Sequence, residues 1–393
     1  MEKMLFTSES VSEGHPDKVC DQVADAILDA CLALDSKAHV AVECFASTEF
    51  LLIGGEITFS KAVKLPDYET IAKRVIKRIG YDQPVLGFSY QHVKILNLIK
   101  AQSQDIAKKV NHQGEESNIG AGDQGLMFGY ASNETPSYMP LAITLAHELV
   151  KRATQLRKSG KFQYARPDMK SQVTIDYTNP KNPRVDQMLL SIQHEEGQLN
   201  DHFIEFVHQE IMIPVAKQYS LNLDFDALIN PAGQFVIGGP LGDTGLTGRK
   251  IIVDTYGGYG RHGGGSFSGK DATKVDRSGA YMARYIAKNL VAAGVASRLE
   301  IQLSYAIGQP LPVSLSVFTF GTLKPSLTES NVKAIISQVF DLRPGVIISA
   351  FKLNRPTFQY EHLAAYGHFG RIEFDLPWEK LDKVEEIKKF LIK

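Results

Sequence analysis

Between Gly257 and Asp276 the chain reads GGYGRHGGGSFSGKDATKVD, a glycine-rich stretch seeded with charges of both signs. Glycine reaches backbone angles closed to other residues and lets main-chain N–H groups meet a ligand without side chains in the way. Arg249 and Lys250 precede the stretch, and Arg261, Lys270 and Lys274 lie within it. So many cations beside such a backbone suit a polyphosphate better than a single phosphate. Asp271 and Asp276 sit among them, and carboxylates beside a polyphosphate make sense when a divalent metal lies between the two anions. A tight surface loop is the competing reading, and the interleaved charges weigh against it.

Two fingerprints inside the stretch fail on context. GYGRHG (Gly258 to Gly263) has the spacing of a dinucleotide loop, but no acidic residue ends a second strand about twenty residues on. GGSFSGK (Gly264 to Lys270) resembles a P-loop, yet Asp271 stands where a hydroxyl should hold magnesium. A nucleoside triphosphate stays plausible without the usual P-loop architecture.

A second candidate site is TSESVSEGHPDK (Thr7 to Lys18). Pro16 fits the first turn of a helix whose inner face is Val19, Val23, Ala26, Ile27, Ala30 and Leu34. His15 then stands at the helix entrance and Asp17 in its first turn. They read either as a cap or as a proton donor beside a magnesium ligand, and the residues alone leave both open. Asp17, Asp21, Asp25 and Asp29 recur every four residues, and the last three are expected to form a solvated acidic face. Glu43 and Glu56 each interrupt an apolar strand, so either one sheet face is wet or a buried carboxylate needs a cation. In GAGDQGLMFGY (Gly120 to Tyr130), Asp123 would repel a pyrophosphate but accept from an amine or hydroxyl. Asp168 to Lys170 reads DMK at a loop-to-strand junction.

The elements that must position these groups follow from periodicity. KIIVDTY (Lys250 to Tyr256) reads as a strand before the glycine loop, and an amphipathic helix from about Arg277, stopped near Gly294, follows it. Strands are expected at His39–Ser47, Phe50–Phe59, Gln91–Ile99, Ser171–Tyr177, Arg184–His194 and Gly233–Gly239. Helices are expected at Asp67–Ile79, Pro140–Lys158, Asp201–Tyr219 and Glu329–Val339. Strand, helix, strand, strand, helix, strand recurs three times, with major helices starting near Pro16, Pro140 and Arg277. The inferred class is α+β, with three similar β-α-β-β-α-β domains, each a sheet covered by helices on one face. Their expected spans are 1–102, 118–236 and 237–378, with 103–117 a lid loop, 379–393 a tail, and strands exchanged between domains where the packing favours it.

The 393 residues carry 43 basic and 44 acidic side chains, so neither nucleic acid nor membrane is the expected partner. Cys20, Cys31 and Cys44 lack metal-ligand spacing, and the chain opens MEKMLFTSES without a basic-then-apolar segment. A reduced cytoplasm is the expected setting.

GHPDK (Gly14 to Lys18), GAGDQGLMFGY and GGGSFSGKD (Gly263 to Asp271), in that order and with DTYGG and RKIIVD around the last, resemble the S-adenosylmethionine synthetases over nearly the whole chain. The resemblance implies three similar domains about a pseudo-threefold axis, and dimers or tetramers with active sites between subunits. It also implies a reaction in which the sulfur of L-methionine attacks C5′ of ATP and displaces the triphosphate, which is then hydrolysed to pyrophosphate and phosphate. A thioether needs no deprotonation, so catalysis would rest on in-line positioning and on charge stabilisation of the leaving group. By resemblance, His15, Lys170, Arg249 and Lys270 are catalytic. Asp168, Phe235, Asp243, Lys250 and Ser266 join His15, Lys170, Arg249 and Lys270 around ATP, and Glu56, Gln102, Asp123, Asp243 and Lys274 bind methionine. Asp17 and Asp276 would hold magnesium, two ions per site, and Glu43 potassium. The family lid usually reads QSPDIAQGV where this chain has QSQDIAKKV (Gln102 to Val110), and Met169 and Gln234 are further departures. An ATP or GTP hydrolase or kinase built on the glycine loop, and a silent regulatory subunit, are the competing functions.

Overall fold

The computed structural model describes residues 2–101 and 119–392. Gln102 and the expected lid lie outside the described residues. Strand β1 (Leu5–Val11) pairs antiparallel with β6 (Ala165–Asp176), which continues through β7 (Arg184–His194) to the parallel edge strand β8 (Asp226–Ile229). A second sheet joins β2 (His39–Ser47) to β3 (Phe50–Thr58) in a hairpin whose turn residue Glu49 takes φ 52°. Strand β4 (Lys94–Lys100) runs parallel to β3, and the two-residue β9 (Gly245–Leu246) closes the other edge of β2. The third sheet is β5 (Gly125–Ser132), β10 (Arg298–Tyr305) and β11 (Ser314–Phe318). Each sheet therefore recruits a strand from a distant part of the chain: β1, β5 and β9 all pair with strands far from them in sequence. Among the described residues, no third of the chain completes its own ladder of backbone hydrogen bonds.

α1 (Pro16–Leu34) packs on β2, and its first three turns are buried on every side rather than along one stripe. α2 (Tyr68–Ile79), capped by Asp67 and stopped by Gly80 at φ 108°, packs against it. α3 (Leu141–Lys158) covers β1 and β6. Residues 201–218 form α4, with a π-helical turn at Val207–Met212. The short α5 (Ile251–Asp254) precedes the glycine stretch, and the buried α6 (Val275–Ala292) follows it across β5 and β10. α7 (Glu329–Val339) starts on a Thr328 capping box, followed by α8 (Pro344–Ala350) and α9 (Val384–Leu391). Trp378, fully buried, stacks on Tyr281 of α6 at 4.0 Å and donates to His368 O, which ties the end of the chain to the core.

Three sequence expectations are corrected, and one strand was missed. KIIVDTY is not a strand: residues 251–254 are helical, because Lys18 and Thr255 take up Asp254 and the Ile251 carbonyl, and packing overrides the β-branched pattern. GQFVIGG (Gly233 to Gly239) is irregular, and Asp226–Ile229 is the fourth strand instead. Asn230 ends it by turning to φ 44° while its amide bridges the N–H and carbonyl of Ile192. Strand β1 went unread because LFTSESV is too polar to alternate clearly. Finally, Asp21 and Asp25 are fully buried and Asp29 is half-buried, so the acidic stripe of α1 is no solvated face. Each carboxylate faces another segment that supplies N–H donors or a cation.

Candidate active site

The site is built first around the entrance of α1. Gly14 has no room for a side chain, since a Cβ there would lie 2.3 Å from Pro167 O, and this contact sets the start of β6 against His15. His15 is the N-cap of α1, and its Nδ1 accepts the N–H of Asp17 at 3.1 Å, which leaves the ring proton on Nε2. Burial, followed by the nearby Lys250 ammonium, lowers the His15 pKa to about 3. The ring is therefore a neutral donor at physiological pH. Asp17 takes the Leu246 N–H on Oδ1 at 3.0 Å and the Lys250 ammonium on Oδ2 at 2.7 Å, with the Arg249 guanidinium 3.8 Å away. Burial pushes its carboxyl up, but Lys250 and the Leu246 N–H outweigh it and hold the group below the usual aspartate value.

On the facing strand, Asp168 is buried. Its Oδ2 accepts the Gly239 N–H at 2.9 Å and its Oδ1 has no hydrogen-bond partner among the described residues. Burial raises its pKa to about 6. Lys170, two residues on and exposed, is close enough to His15 and Asp168 to influence both electrostatically. Asp243 is exposed and its charge also reaches Asp168.

A second bank lies beside the first. Residues 269–271 run along β2, with Gly269 O accepting from Val42 N at 2.9 Å and Asp271 N donating to Val40 O at 3.1 Å. A Cβ at Gly269 would stand 1.9 Å from Val42 O, so this approach requires glycine. Lys270 then reaches Asp276, in the first turn of α6, at 2.6 Å. The two banks touch where a Cβ on Gly248 would meet the Ser266 side chain at 2.7 Å, and the buried Ser266 Oγ has no partner among the described residues.

The remaining expected residues divide. Asp271 is a structural group: it accepts from Val40 N, Thr273 and Lys274, so Lys274 is paired within the protein. Arg261 turns away, its guanidinium over the Phe318 ring and 3.6 Å from Glu300. Phe235 is half-buried, with its N–H on His194 Nε2. Asp123 is exposed, in a loop joined to Thr273 O through Gly122 N. Glu43 and Glu56 are exposed on the outer face of their sheet and make no ion pair with either bank among the described residues. The sheet face carrying them is therefore open to solvent in the single chain.

Such an arrangement gathers cations, a neutral imidazole and isolated carboxylates, with no paired nucleophile and base. It suits a reaction driven by charge stabilisation. Models of the N-terminal, central and C-terminal domains of S-adenosylmethionine synthetase match residues 3–104, 118–235 and 237–380. The chain belongs to the S-adenosylmethionine synthetase family. Among its relatives, the S-adenosylmethionine synthase of Mesoplasma florum is 58% identical over 98% of this chain and the whole of the relative. That of Mycoplasma mycoides is 55% identical over 99% of this chain and 98% of its own, and that of Clostridium botulinum 51% identical over 99% and 100%. The three synthetase segments do not coincide with the three sheets. Strand β1, within the N-terminal segment, pairs with β6 of the central one; β5 of the central segment pairs with β10 of the C-terminal one; β9 of the C-terminal segment pairs with β2 of the N-terminal one.

Proposed function

We propose that this chain makes S-adenosylmethionine from ATP and L-methionine with its two adjoining cationic banks as the triphosphate seat. The observation that carries the reading is the placement of the buried His15 ring, its Nδ1 taken by the Asp17 N–H, at the entrance of α1 beside Lys250, Arg249 and Lys170. In the transfer, the methionine sulfur forms a bond to C5′, the C5′–O bond breaks, and the electron pair leaves with the triphosphate. His15 donates a hydrogen bond to the leaving oxygen, and Lys170 offsets charge near C5′. Arg249, Lys250 and Lys270 hold the phosphate chain, Arg249 also serving its hydrolysis to pyrophosphate and phosphate. The Asp168 Oδ1 and Ser266 Oγ acceptors, which lack partners among the described residues, face nucleotide donors, and Phe235 and Asp243 complete the nucleoside seat. Glu56, Asp123, Asp243 and Lys274, with Gln102, form the methionine seat.

Asp17 and Asp276 fit magnesium. Each presents one carboxylate already beside a lysine, and magnesium commonly takes one or two carboxylates with phosphate oxygens and water rather than a cluster. Bound there, the ion would neutralise charge on the triphosphate oxygens. The exposed oxygen donor Glu43 suits potassium by the same hard-ligand logic.

A second copy of this chain is the expected partner. Leu246, Phe45, Leu52 and Leu96 stand opposite one another across four strands, and Phe45 (36%), Leu96 (43%) and Leu246 (38%) are exposed. Such an apolar row on the sheet that carries Glu43 and Glu56 favours a face shared between subunits. No described helix is long and apolar enough to cross a membrane, and the three cysteines are free and buried, which suits a reducing cytoplasm. We further divide the chain into domains at 1–102, 118–236 and 237–378.

The decisive assay is mass spectrometry of ATP, L-methionine, magnesium and potassium with the protein, alongside a mixture lacking methionine. S-Adenosylmethionine with matching pyrophosphate and phosphate is expected. ADP and phosphate formed at one rate with or without methionine would sink the reading in favour of a hydrolase.

A further inference from the structure

The acidic stripe of α1 is left over once Asp17 has been assigned. Asp21 and Asp25 have no exposure at all, yet neither is idle. Asp21 Oδ1 accepts the Gly248 N–H at 2.9 Å, while Oδ2 takes Lys18 Nζ at 2.9 Å, and Lys18 also pairs with Asp254. Asp25 Oδ1 accepts the Gly269 N–H at 2.8 Å and shares both oxygens with Arg277, at 2.8 and 2.9 Å; Arg277 in turn donates to Lys270 O at 3.1 Å. Gly248 directly precedes Arg249 and Lys250, and Gly269 directly precedes Lys270.

We propose that Asp21 and Asp25 are positioning residues that hang the two cation-bearing loops from one buried helix and hold Arg249, Lys250 and Lys270 at a set separation. The proposal rests on the reading that those cations hold the triphosphate. Gly248 and Gly269 have φ 81° and 76°, so each loop turns at a residue with little conformational restraint of its own. A tether on the N–H of each glycine removes that freedom at the point nearest the cation. Four residues along a helix span about 6 Å, so successive carboxylates set the distance between the loops. A carboxylate suits this task better than an amide because charge-assisted hydrogen bonds are the stronger kind, and Lys18 and Arg277 offset the buried negative charge. Cations arranged before the ligand arrives need no reordering as negative charge develops on the leaving triphosphate. Asp29 provides an internal contrast. It caps the backbone N–H groups of Tyr360 and Glu361 at 2.9 and 3.0 Å with the same chemistry, but those residues bear none of the proposed phosphate cations.

The test measures KM for ATP and for methionine in synthesis, and KM for inorganic tripolyphosphate in hydrolysis, alongside thermal unfolding. Asp21→Ala is expected to raise KM for ATP and tripolyphosphate about tenfold, the scale of one lost charged hydrogen bond, with KM for methionine unchanged. Asp21→Asn, which keeps an acceptor for Gly248, is expected to restore most of the affinity. Asp29→Ala is expected to lower the unfolding temperature and leave all three KM values in place. Unchanged phosphate KM values in a folded Asp21→Ala protein that is merely less stable would overturn the proposal. Where Asp21→Ala yields no folded protein, Asp25→Ala, which removes the acceptor for Gly269, is measured in the same way, and an unchanged tripolyphosphate KM there also overturns it. Arg249→Ala and Lys270→Ala separate the two levels of the argument. If neither weakens tripolyphosphate, the underlying reading fails; if both weaken it while Asp21→Ala does not, only the positioning role fails.

Discussion

His15, Asp168 and Lys170 stand together at the mouth of α1, and the protonation of His15 and Asp168 decides how the site responds to pH. His15, with its pKa lowered to about 3 by burial, stays neutral throughout the physiological range and contributes no step near pH 6.5. Asp168 has its pKa raised to about 6, again by burial, so it is a carboxylate above that pH and takes up a proton below it. KM for ATP is therefore expected to rise as pH falls through about 6, and Asp168→Asn to flatten that limb; a wild-type profile level from pH 7 to 5 would contradict it. Lys170→Met should fold normally, since Lys170 is exposed, and lose transfer by about 10²-fold or more in kcat. Near-normal turnover in that variant removes Lys170 from the chemistry. Asp17→Asn and Asp276→Asn should each raise the magnesium concentration for half-maximal rate by about tenfold, roughly 1.4 kcal/mol of lost binding. Unchanged titrations in both would reject them as ligands. Asp168 and Lys170 took their roles from the family resemblance, whereas the glycines and charges between residues 249 and 276 were legible in the sequence because polyphosphate chemistry demands them. Burial was not, so Asp21 and Asp25 looked like solvent-facing groups.

Among the elements, the major helices were the most legible, because Pro16, Pro140 and Gly294 mark their ends and apolar spacing marks their faces. The segment KIIVDTY misled because a run of β-branched residues scores as strand wherever it packs, whereas here the Lys18–Asp254 pair holds it beside α1 as a helical turn. Close helix–sheet packing is the feature that local pattern conceals most. At Gly129 of β5, a Cβ would lie 2.0 Å from the backbone of Ala283 in α6. Gly129→Ala must lift that helix from the sheet and should cost about 1–3 kcal/mol, the usual range for overpacking. Urea unfolding would show this as a lower midpoint, and an unchanged midpoint would mean that the helix shifts freely.

For the whole molecule, β1, β5 and β9 each complete a sheet built mainly from a distant segment, so the sheets depend on one another for their hydrogen bonds. The outward apolar row through Phe45 is the corresponding feature of the proposed assembly. Phe45→Glu should shift the protein toward monomer in sedimentation and reduce synthesis about tenfold or more, since a buried unpaired charge opposes association by several kcal/mol. A variant that sediments and turns over like the parent would exclude this face as the contact. The sequence by itself determined the α+β class, the threefold recurrence of elements, and the glycines and charges of the proposed phosphate seat. Those features follow from local backbone preference and from the ligand's own charge. Only the tertiary structure decided which strands complete which sheets, and that the aspartates of α1 face inward, because hydrogen-bond partners far apart in sequence are chosen by packing.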